Sequence, residues 1–379
     1  MDWKRQLELI SGGSQTRSKV GRFTDISPVT IQKGYGAYIW GDDGKRYLDY
    51  TMALGAILLG YGTHEEVIQA VTKQLRRGAV YGLPSLLEGE LAEQLLEYYP
   101  HYDMVRFGKN GVDSTMAAIR LARAVTGRNH FISSGYHGCA DIFEITGDNK
   151  RGIPGWNGNT IHKFEFNDIT ALSKLLDSGT FAALIIEQPP EAPSQTFYKD
   201  LRMLCNLHGV IWIQDEIVTG FRYAMGGAQE KYGFEPDLTC LGKCMANGLP
   251  ISALLGKKEL MREFTKGVSW SSTFGGELTS ISAALACIKL YSEGSLSYYT
   301  KNLTDTLKRG LRALKLDCIG DGGRLVINFK KEKDRMSYLE YMHSHNIFIM
   351  DVPIFLSMSH TAENIQKTIE ISGEAVEQF

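Results

Sequence analysis

The chain has 379 residues, of which 43% are hydrophobic, and its formal charge is −2 at pH 7. This length can bury a large core in about two domains, and the nearly neutral charge excludes a basic field for nucleic acid. The N-terminus lacks the apolar stretch of a signal peptide, and the longest uncharged run, residues 51–62, is too short to span a bilayer. Six cysteines do not make a disulfide framework in such a chain. We therefore expect a cytoplasmic protein that binds neither membranes nor nucleic acid.

Short apolar runs alternate with helical patterns through the middle of the chain. In chain order, the predicted strands are residues 104–107, 130–133, 161–166, 182–186, 210–214, 237–241 and 251–255. Residues 113–125 form a predicted helix after the first strand, and Gly127 follows it as a C-terminal signal. Such alternation is typical of an α/β fold with a largely parallel sheet covered by helices. From about residue 285 the pattern changes, which predicts a smaller α+β domain.

Two chemically reactive residues stand at the ends of predicted strands. Asp215 directly follows the strand at 210–214, and open α/β sheets bind ligands at the carboxyl ends of their strands. Lys243 follows the strand at 237–241 after Gly242, which allows a sharp turn of the backbone. Isolated lysines and aspartates are mostly solvated surface groups, so neither residue alone carries much weight. Together they provide what pyridoxal phosphate (PLP) requires, an amine that bonds to its aldehyde and an acid that keeps its ring nitrogen protonated.

A metal site is a competing interpretation of this region. Cys240 and Cys244 flank Lys243, but no second cysteine or histidine pair accompanies them with structural-zinc spacing. His343 and His345 form another isolated pair near a predicted helix end, where packing or surface roles are expected. We therefore expect small buried thiols and no metal.

The sequence around Asp215 and Lys243 resembles the class III, fold-type I PLP-dependent aminotransferases, and within them the glutamate-1-semialdehyde aminomutase branch. The segments that carry the resemblance are 40–49, 104–107, 135–138, 215–222, 226–233, 236–243 and 248–250. The resemblance covers nearly the whole chain and implies that both residues are catalytic. It also implies a large PLP-binding domain with a mostly parallel central sheet at 45–284, a small α+β domain at 285–379, and a segment at 1–44 that packs with the small domain.

The phosphate of PLP needs backbone N–H groups at a helix start, and residues 107–114 offer a glycine-containing turn between a strand and a helix. This turn departs from the usual Ser-Gly-Thr-Glu of the family, because Asn110, Gly111, Val112 and Asp113 stand there. The threonine hydroxyl is therefore lost, and the N–H groups of Gly111 and Val112 are the predicted phosphate donors. Walker A spacing is absent, so nothing supports nucleotide hydrolysis.

The resemblance implies roles for four further residues. Tyr136 is expected to stack on the ring of PLP, and Ile217 to cover the opposite face. Gln188 is the candidate partner of the phenolic oxygen. Thr273 matches the threonine that reaches the phosphate of the neighbouring subunit, which implies a homodimer with shared active sites.

The expected substrate residues depart from the aminomutase branch. Lys19 stands at the place of an arginine that grips the substrate carboxylate in aminomutases, and Arg17 is nearby. A lysine cannot form the bidentate fork of an arginine, and the loop after Gly138 is shorter than in aminomutases. We therefore predict a ping-pong aminotransferase. It would move an amino group from a small-molecule donor, expected to be L-glutamate, to a carbonyl compound such as an amino-sugar or other polar precursor.

Other outcomes with the same cofactor residues stay open. The main alternative is a glutamate-1-semialdehyde 2,1-aminomutase, and a racemase or a decarboxylase would also use Lys243, Asp215 and Tyr136. A catalytically silent relative with a binding role belongs to a different class. The intact Lys243 and Asp215 oppose it, and only the altered phosphate turn favours it. Product analysis with an amino donor separates transamination from the other reactions.

Overall fold

The computed structural model of the chain describes residues 3–19, 30–144, 151–155, 160–294, 296–350 and 353–378, with the backbone alone for Arg17 and residues 296–298. Contacts between Cα atoms divide the chain into two units. The larger unit is Glu66–Gly294, and the smaller unit consists of Met1–Glu65 and Ser295–Phe379. The domain boundaries after residues 44 and 284 stay predictions.

Strands and helices alternate along the described chain. The strands are β1 (Ile31–Tyr35), β2 (Tyr38–Gly41), β3 (Arg46–Asp49), β4 (Met104–Gly108), β5 (His130–Ser134), β6 (Ile161–Lys163), β7 (Phe181–Glu187), β8 (Ile211–Asp215), β9 (Leu238–Leu241), β10 (Ser252–Gly256), β11 (Asp317–Asp321), β12 (Arg324–Asn328), β13 (Ile347–Phe348) and β14 (Ile354–Phe355). The α-helices are α1 (Trp3–Leu9), α2 (Glu65–Arg77), α3 (Leu86–Tyr98), α4 (Gly111–Thr126), α5 (Asp141–Glu144), α6 (Ile169–Ser178), α7 (Phe197–His208), α8 (Gly227–Tyr232), α9 (Lys258–Met261), α10 (Leu278–Glu293), α11 (Leu296–Ala313), α12 (Glu332–Ser344) and α13 (Ala362–Val376). A helical turn with positive φ angles lies at Met52–Gly55, and 3-10 turns lie at Ser11–Gly13, Arg17–Lys19, Lys243–Ala246 and Arg262–Thr265. None of the described helices is both long and apolar enough to cross a membrane.

The larger unit is built on a sheet with the strand order β4-β10-β9-β8-β7-β5-β6. Strands β9, β8, β7, β5 and β6 are parallel, and β10 runs antiparallel to both of its neighbours. All residues of β7 and β9 are buried, as expected of strands covered on both faces. The predicted α/β fold is thus confirmed. The predicted strand at 161–166 is too long, because β6 ends at Lys163 and Phe164 leaves the sheet to pack into the core.

The strand directions bring most of the connections to one end of this sheet. Strand β4 runs in the same direction as β9, because β10 is antiparallel to both. The connections after β4, β5, β7, β8 and β9 therefore start at the same end, where open α/β sheets bind ligands. They contain Gly111, Tyr136, Gln188, Ile217 and Lys243. The topology alone thus collects most of the predicted cofactor residues.

Helix α4 begins at this end of the sheet because its first residues suit a helix start. The carboxylate of Asp113 accepts the backbone N–H groups of Lys109 and Asn110, each at 2.8 Å. The helix ends at Gly127, whose φ of 66° lies in the left-handed region that glycine tolerates. The prediction of a helix at 113–125 is thus confirmed.

The smaller unit contains two further sheets. One has the order β1-β2-β3-β13, with β13 parallel to β3, and the other has the antiparallel order β11-β12-β14. The hydroxyl groups of Tyr50 and Thr368 share a buried hydrogen bond of 2.7 Å, which joins the chain after β3 to helix α13. Strands and helices are mixed here, in agreement with the predicted α+β character of the C-terminal region.

Candidate active site

Asp215 is the last residue of β8, and its carboxylate is held from two sides. The side chain is only 2% exposed. Its Oδ1 accepts the N–H of Ile217 at 3.0 Å, and its Oδ2 lies 2.8 Å from Nδ1 of His137. An ionised carboxylate only accepts hydrogen bonds, so a hydrogen bond to it from His137 requires the tautomer with a proton on Nδ1. Hydrogen bonds of this kind offset the free-energy cost of burying a carboxylate.

His137 is a site residue that the sequence reasoning missed. It lies on the connection after β5, directly after Tyr136, and is 3% exposed. Its carbonyl oxygen accepts a hydrogen bond of 2.8 Å from the hydroxyl of Thr115 on α4. Its Nε2 is buried and has no hydrogen-bond partner among the described residues. The sequence shows a histidine between Tyr136 and Gly138, but it does not show that this histidine contacts Asp215.

The connection after β5 packs closely on the first turn of α4. Gly138 has a φ of 108°, and a Cβ atom there would lie 2.7 Å from Cβ of Val112. Gly135 has a φ of 107°, and a Cβ atom there would lie 2.7 Å from Cβ of Glu187. Both glycines are therefore required by backbone conformation and by close approach.

The first turn of α4 provides donors for an anion. The N–H groups of Gly111 and Val112 stand where no carbonyl of the helix can accept them. A Cβ atom on Gly111 would lie 3.0 Å from Cδ1 of Ile217, and one on Gly242 would lie 3.1 Å from the same atom. Ile217 thus lies between the first turn of α4 and the residue that precedes Lys243. Donors, aliphatic side chain and lysine come from three connections, and the geometry brings them together.

Lys243 opens a 3-10 turn directly after β9. Its φ is 41°, in the left-handed region, which is costly for a side chain other than glycine. The lysine is partly exposed, whereas the three residues that follow it, Cys244, Met245 and Ala246, are buried. Strain of this type at the end of a strand is typical of functional positions.

Tyr136 and Gln188 differ in their surroundings. Tyr136 is 68% exposed, and its N–H donates to Oε2 of Glu187 at 3.3 Å. Gln188 is fully buried. Its Nε2 donates to the carbonyl oxygens of Pro189 at 2.8 Å and Glu191 at 2.6 Å, and its Oε1 accepts the hydroxyl of Tyr198. The amide thus shapes its own loop, and its assignment to the phenolic oxygen stays a prediction that this packing disfavours.

Three further residues were predicted for the site, namely Thr273, Lys19 and Arg17. Thr273 is exposed on the connection that leads to α10. Lys19 is exposed at the end of the 3-10 turn Arg17–Lys19 in the smaller unit, and only the backbone of Arg17 is described. Their predicted roles stay predictions.

The cysteines beside Lys243 are separate thiols in the described structure. Cys240 and Cys244 are both buried and form no disulfide bond with a described residue, and burial raises the pKa of Cys240 well above its usual value. Among the described residues, no three His, Cys, Asp or Glu side chains are grouped so that they could hold a metal ion.

Comparison with known proteins gives a consistent result. The sequence matches the family model described as "Aminotransferase class-III" over residues 21–352. It is 36% identical over 336 residues to the glutamate-1-semialdehyde 2,1-aminomutase of Chloroflexus aurantiacus, covering 83% of this chain and 75% of the relative. It is 34% identical over 412 aligned residues to the protein of the same name from Archaeoglobus fulgidus, covering 98% and 97%. The FumI protein of Sphingopyxis sp. MTA144, solved with PLP, has a TM-score of 0.90 at 27% identity, covering 99% of this chain and 95% of that chain.

Proposed function

This chain belongs to the class III aminotransferase family, and we propose that it uses PLP to move amino groups on small molecules. The predicted family, fold type and cofactor are confirmed by the comparisons. One structural observation on this chain supports the proposal. The buried, doubly hydrogen-bonded Asp215 ends β8, the strained Lys243 follows the adjacent parallel strand β9, and Ile217 connects this pair to the first turn of α4.

The residues fit the cofactor. The N–H groups of Gly111 and Val112 would hold the phosphate, since a helix start with no side chain at its first residue is a ready anion site. The carboxylate of Asp215 would hold the ring nitrogen, and Ile217 and Tyr136 would cover the two faces of the ring. When bound, PLP supplies an aldehyde for the amino group and a ring that accepts electron density.

Two side chains, Lys243 and Asp215, control the positions of protons in this proposal. Lys243 would bond to the cofactor through Nζ and, once displaced by a substrate amine, would carry a proton between carbon atoms. Asp215 would face the ring nitrogen as an anion of fixed orientation. Because His137 holds one oxygen of the carboxylate and the N–H of Ile217 holds the other, the orientation of the carboxylate is fixed.

The relatives favour one outcome of this chemistry. Both curated relatives above bear the name glutamate-1-semialdehyde 2,1-aminomutase, so an intramolecular shift of the amino group is the first candidate. The second candidate is transamination between two molecules, with L-glutamate as the expected donor and a polar carbonyl compound as acceptor. Lys19 supports it, because a lysine at the place of the expected carboxylate-binding arginine weakens the case for the aminomutase substrate.

One experiment separates the candidates. Purified protein is loaded with PLP and given glutamate-1-semialdehyde without a donor, or L-glutamate with a panel of carbonyl acceptors, beside a Lys243→Ala variant. Lysine-dependent isomerisation of the semialdehyde without a donor identifies the aminomutase. Lysine-dependent release of the keto acid of glutamate identifies a transaminase. If wild type and Lys243→Ala have the same visible absorption with PLP and neither turns over, the proposed function is wrong.

We also propose a homodimer. Large apolar side chains are exposed in the larger unit, from the segment after α2 to the first residue of α3 and beside Thr273, and patches of this type mark protein interfaces. They are Val80, Tyr81, Leu83, Leu86 and Phe274. The two stretches are joined by a 2.8 Å hydrogen bond from the N–H of Leu278 to the carbonyl of Ala79. Light scattering that finds a monomer at micromolar concentration would contradict the proposal.

A further inference from the structure

Lys109 is the cation nearest in sequence to the anion-binding turn, yet its ammonium group is fully engaged elsewhere. Its Nζ lies 2.7 Å from Oε2 of Glu277, 2.9 Å from the carbonyl oxygen of Pro250 and 3.0 Å from Oγ of Ser280. A lysine ammonium has three hydrogens to donate. All of them are used by these acceptors, so the arrangement leaves no donor for a phosphate.

The lysine and its acceptors come from three segments of the chain, because Glu277 and Ser280 both lie at the start of α10. Lys109 begins the turn that contains Gly111 and Val112. Pro250 ends the stretch that starts with Lys243. Glu277 ends the connection that carries Thr273 and precedes α10. One ammonium group therefore ties the phosphate donors, the lysine connection and the start of α10 together.

Glu277 is firmly held as the partner of this lysine. Its carboxylate accepts the N–H groups of Thr279 at 2.8 Å and Ser280 at 3.1 Å, and so caps α10. The side chains of Lys109 and Glu277 are only 16% and 12% exposed. Burial opposes ionisation of Glu277, but hydrogen bonds from Lys109, Thr279 and Ser280 outweigh it and lower its pKa to about 2. Glu277 is thus ionised at neutral pH.

We propose that Lys109 is a positioning residue for the phosphate of PLP, which holds the N–H groups of Gly111 and Val112 in place relative to Lys243 without binding the phosphate itself. The inference rests on the proposed function for the cofactor site. A turn that relies on backbone donors binds well only if those donors are held in advance. The ion pair of Lys109 and Glu277, referred to below as the clamp, takes that role in a turn that has no threonine hydroxyl at Val112.

The test is a double-mutant cycle on cofactor binding. The dissociation constants of PLP and of pyridoxal, which has no phosphate, are measured by absorbance or fluorescence titration for wild type, Lys109→Met, Glu277→Gln and the double variant. Lys109→Met is expected to weaken PLP binding by about tenfold, the scale of a charge-assisted hydrogen bond. Glu277→Gln is expected to weaken it less, and the double variant no more than Lys109→Met, since the two residues act as one unit. Pyridoxal binding is expected to stay unchanged throughout.

Matched controls keep the result interpretable. Lys266 and Glu263 form an exposed pair at 2.8 Å in the same unit, and Lys266→Met is expected to change nothing. Ser280→Ala removes one acceptor of Lys109 and one hydrogen bond to Glu277 but keeps the ion pair, so it provides a milder test if Lys109→Met does not fold. Thermal melts of the PLP-free variants identify such a failure.

Two results overturn the inference. If Lys109→Met weakens PLP binding but Glu277→Gln leaves it unchanged or strengthens it, the ammonium binds the phosphate directly. If PLP and pyridoxal weaken equally, the clamp does not act on the phosphate. A wild-type protein that does not bind PLP through Lys243 would instead count against the proposed function.

Discussion

The contact between His137 and Asp215 leads to the most direct prediction. His137→Phe keeps an aromatic ring but removes the nitrogen that lies 2.8 Å from the Asp215 carboxylate. Because Asp215 is 2% exposed, water has little access to replace the lost donor. The N–H of Ile217 remains on the other oxygen. The carboxylate then has freedom to turn away from the cofactor nitrogen that it is proposed to hold.

The size of the effect follows from the type of bond. Hydrogen bonds to charged groups contribute about 1.5–3 kcal/mol. Since about 1.4 kcal/mol corresponds to a factor of ten, we expect the rate of the first half-reaction to fall about 10- to 150-fold. The rate is measured in single-turnover experiments, as the change in the visible absorption of bound PLP after an amino substrate is added.

A matched control uses the same substitution elsewhere in the same sheet. His162 on β6 lies 3.2 Å from His130 in a partly exposed pair, far in sequence from the site residues. His162→Phe is expected to leave the half-reaction unchanged. The reasoning is refuted if His137→Phe reacts at the wild-type rate while it still binds PLP, or if both variants are slowed alike.

Three further predictions concern backbone strain, pH and a buried hydrogen bond. Gly138→Ala is expected to lower the stability of the fold by about 1–3 kcal/mol, because φ is 108° and the new methyl group would meet Val112. Thermal melts measure the loss of stability, and PLP titration measures the effect on the cofactor site. Burial lowers the pKa of His343 below its usual 6.5, so the unfolded chain takes up a proton that the folded chain does not. The contribution of His343 to stability is therefore fully present above pH 6.5 and is lost as the pH falls below that value. His343→Gln is expected to reduce the difference in urea midpoint between pH 7 and pH 5. Tyr50→Phe removes the 2.7 Å bond to Thr368 and is expected to lower the unfolding free energy by about 1 kcal/mol, measured by urea titration.

Much of the larger unit could be predicted from the sequence. Apolar runs and glycine signals located the strands to within one or two residues, with 161–166 as the exception. They also placed Asp215 and Lys243 at the ends of neighbouring strands. Such features are local, because burial on both faces of a sheet and the need for a sharp turn leave their mark on consecutive residues.

The contacts that shape the site depended on the tertiary structure. His137 meets Asp215 across 78 positions in the chain, and Lys109 meets Glu277 across 168. The amide of Gln188, assigned to the cofactor from the motif, is engaged by its own loop. A side chain finds its partner through strand order and direction, as where β10 runs antiparallel and so turns β4 to the same end as β9. Residue type and spacing therefore determined the chemistry available to this protein, and only the three-dimensional fold decided which groups meet.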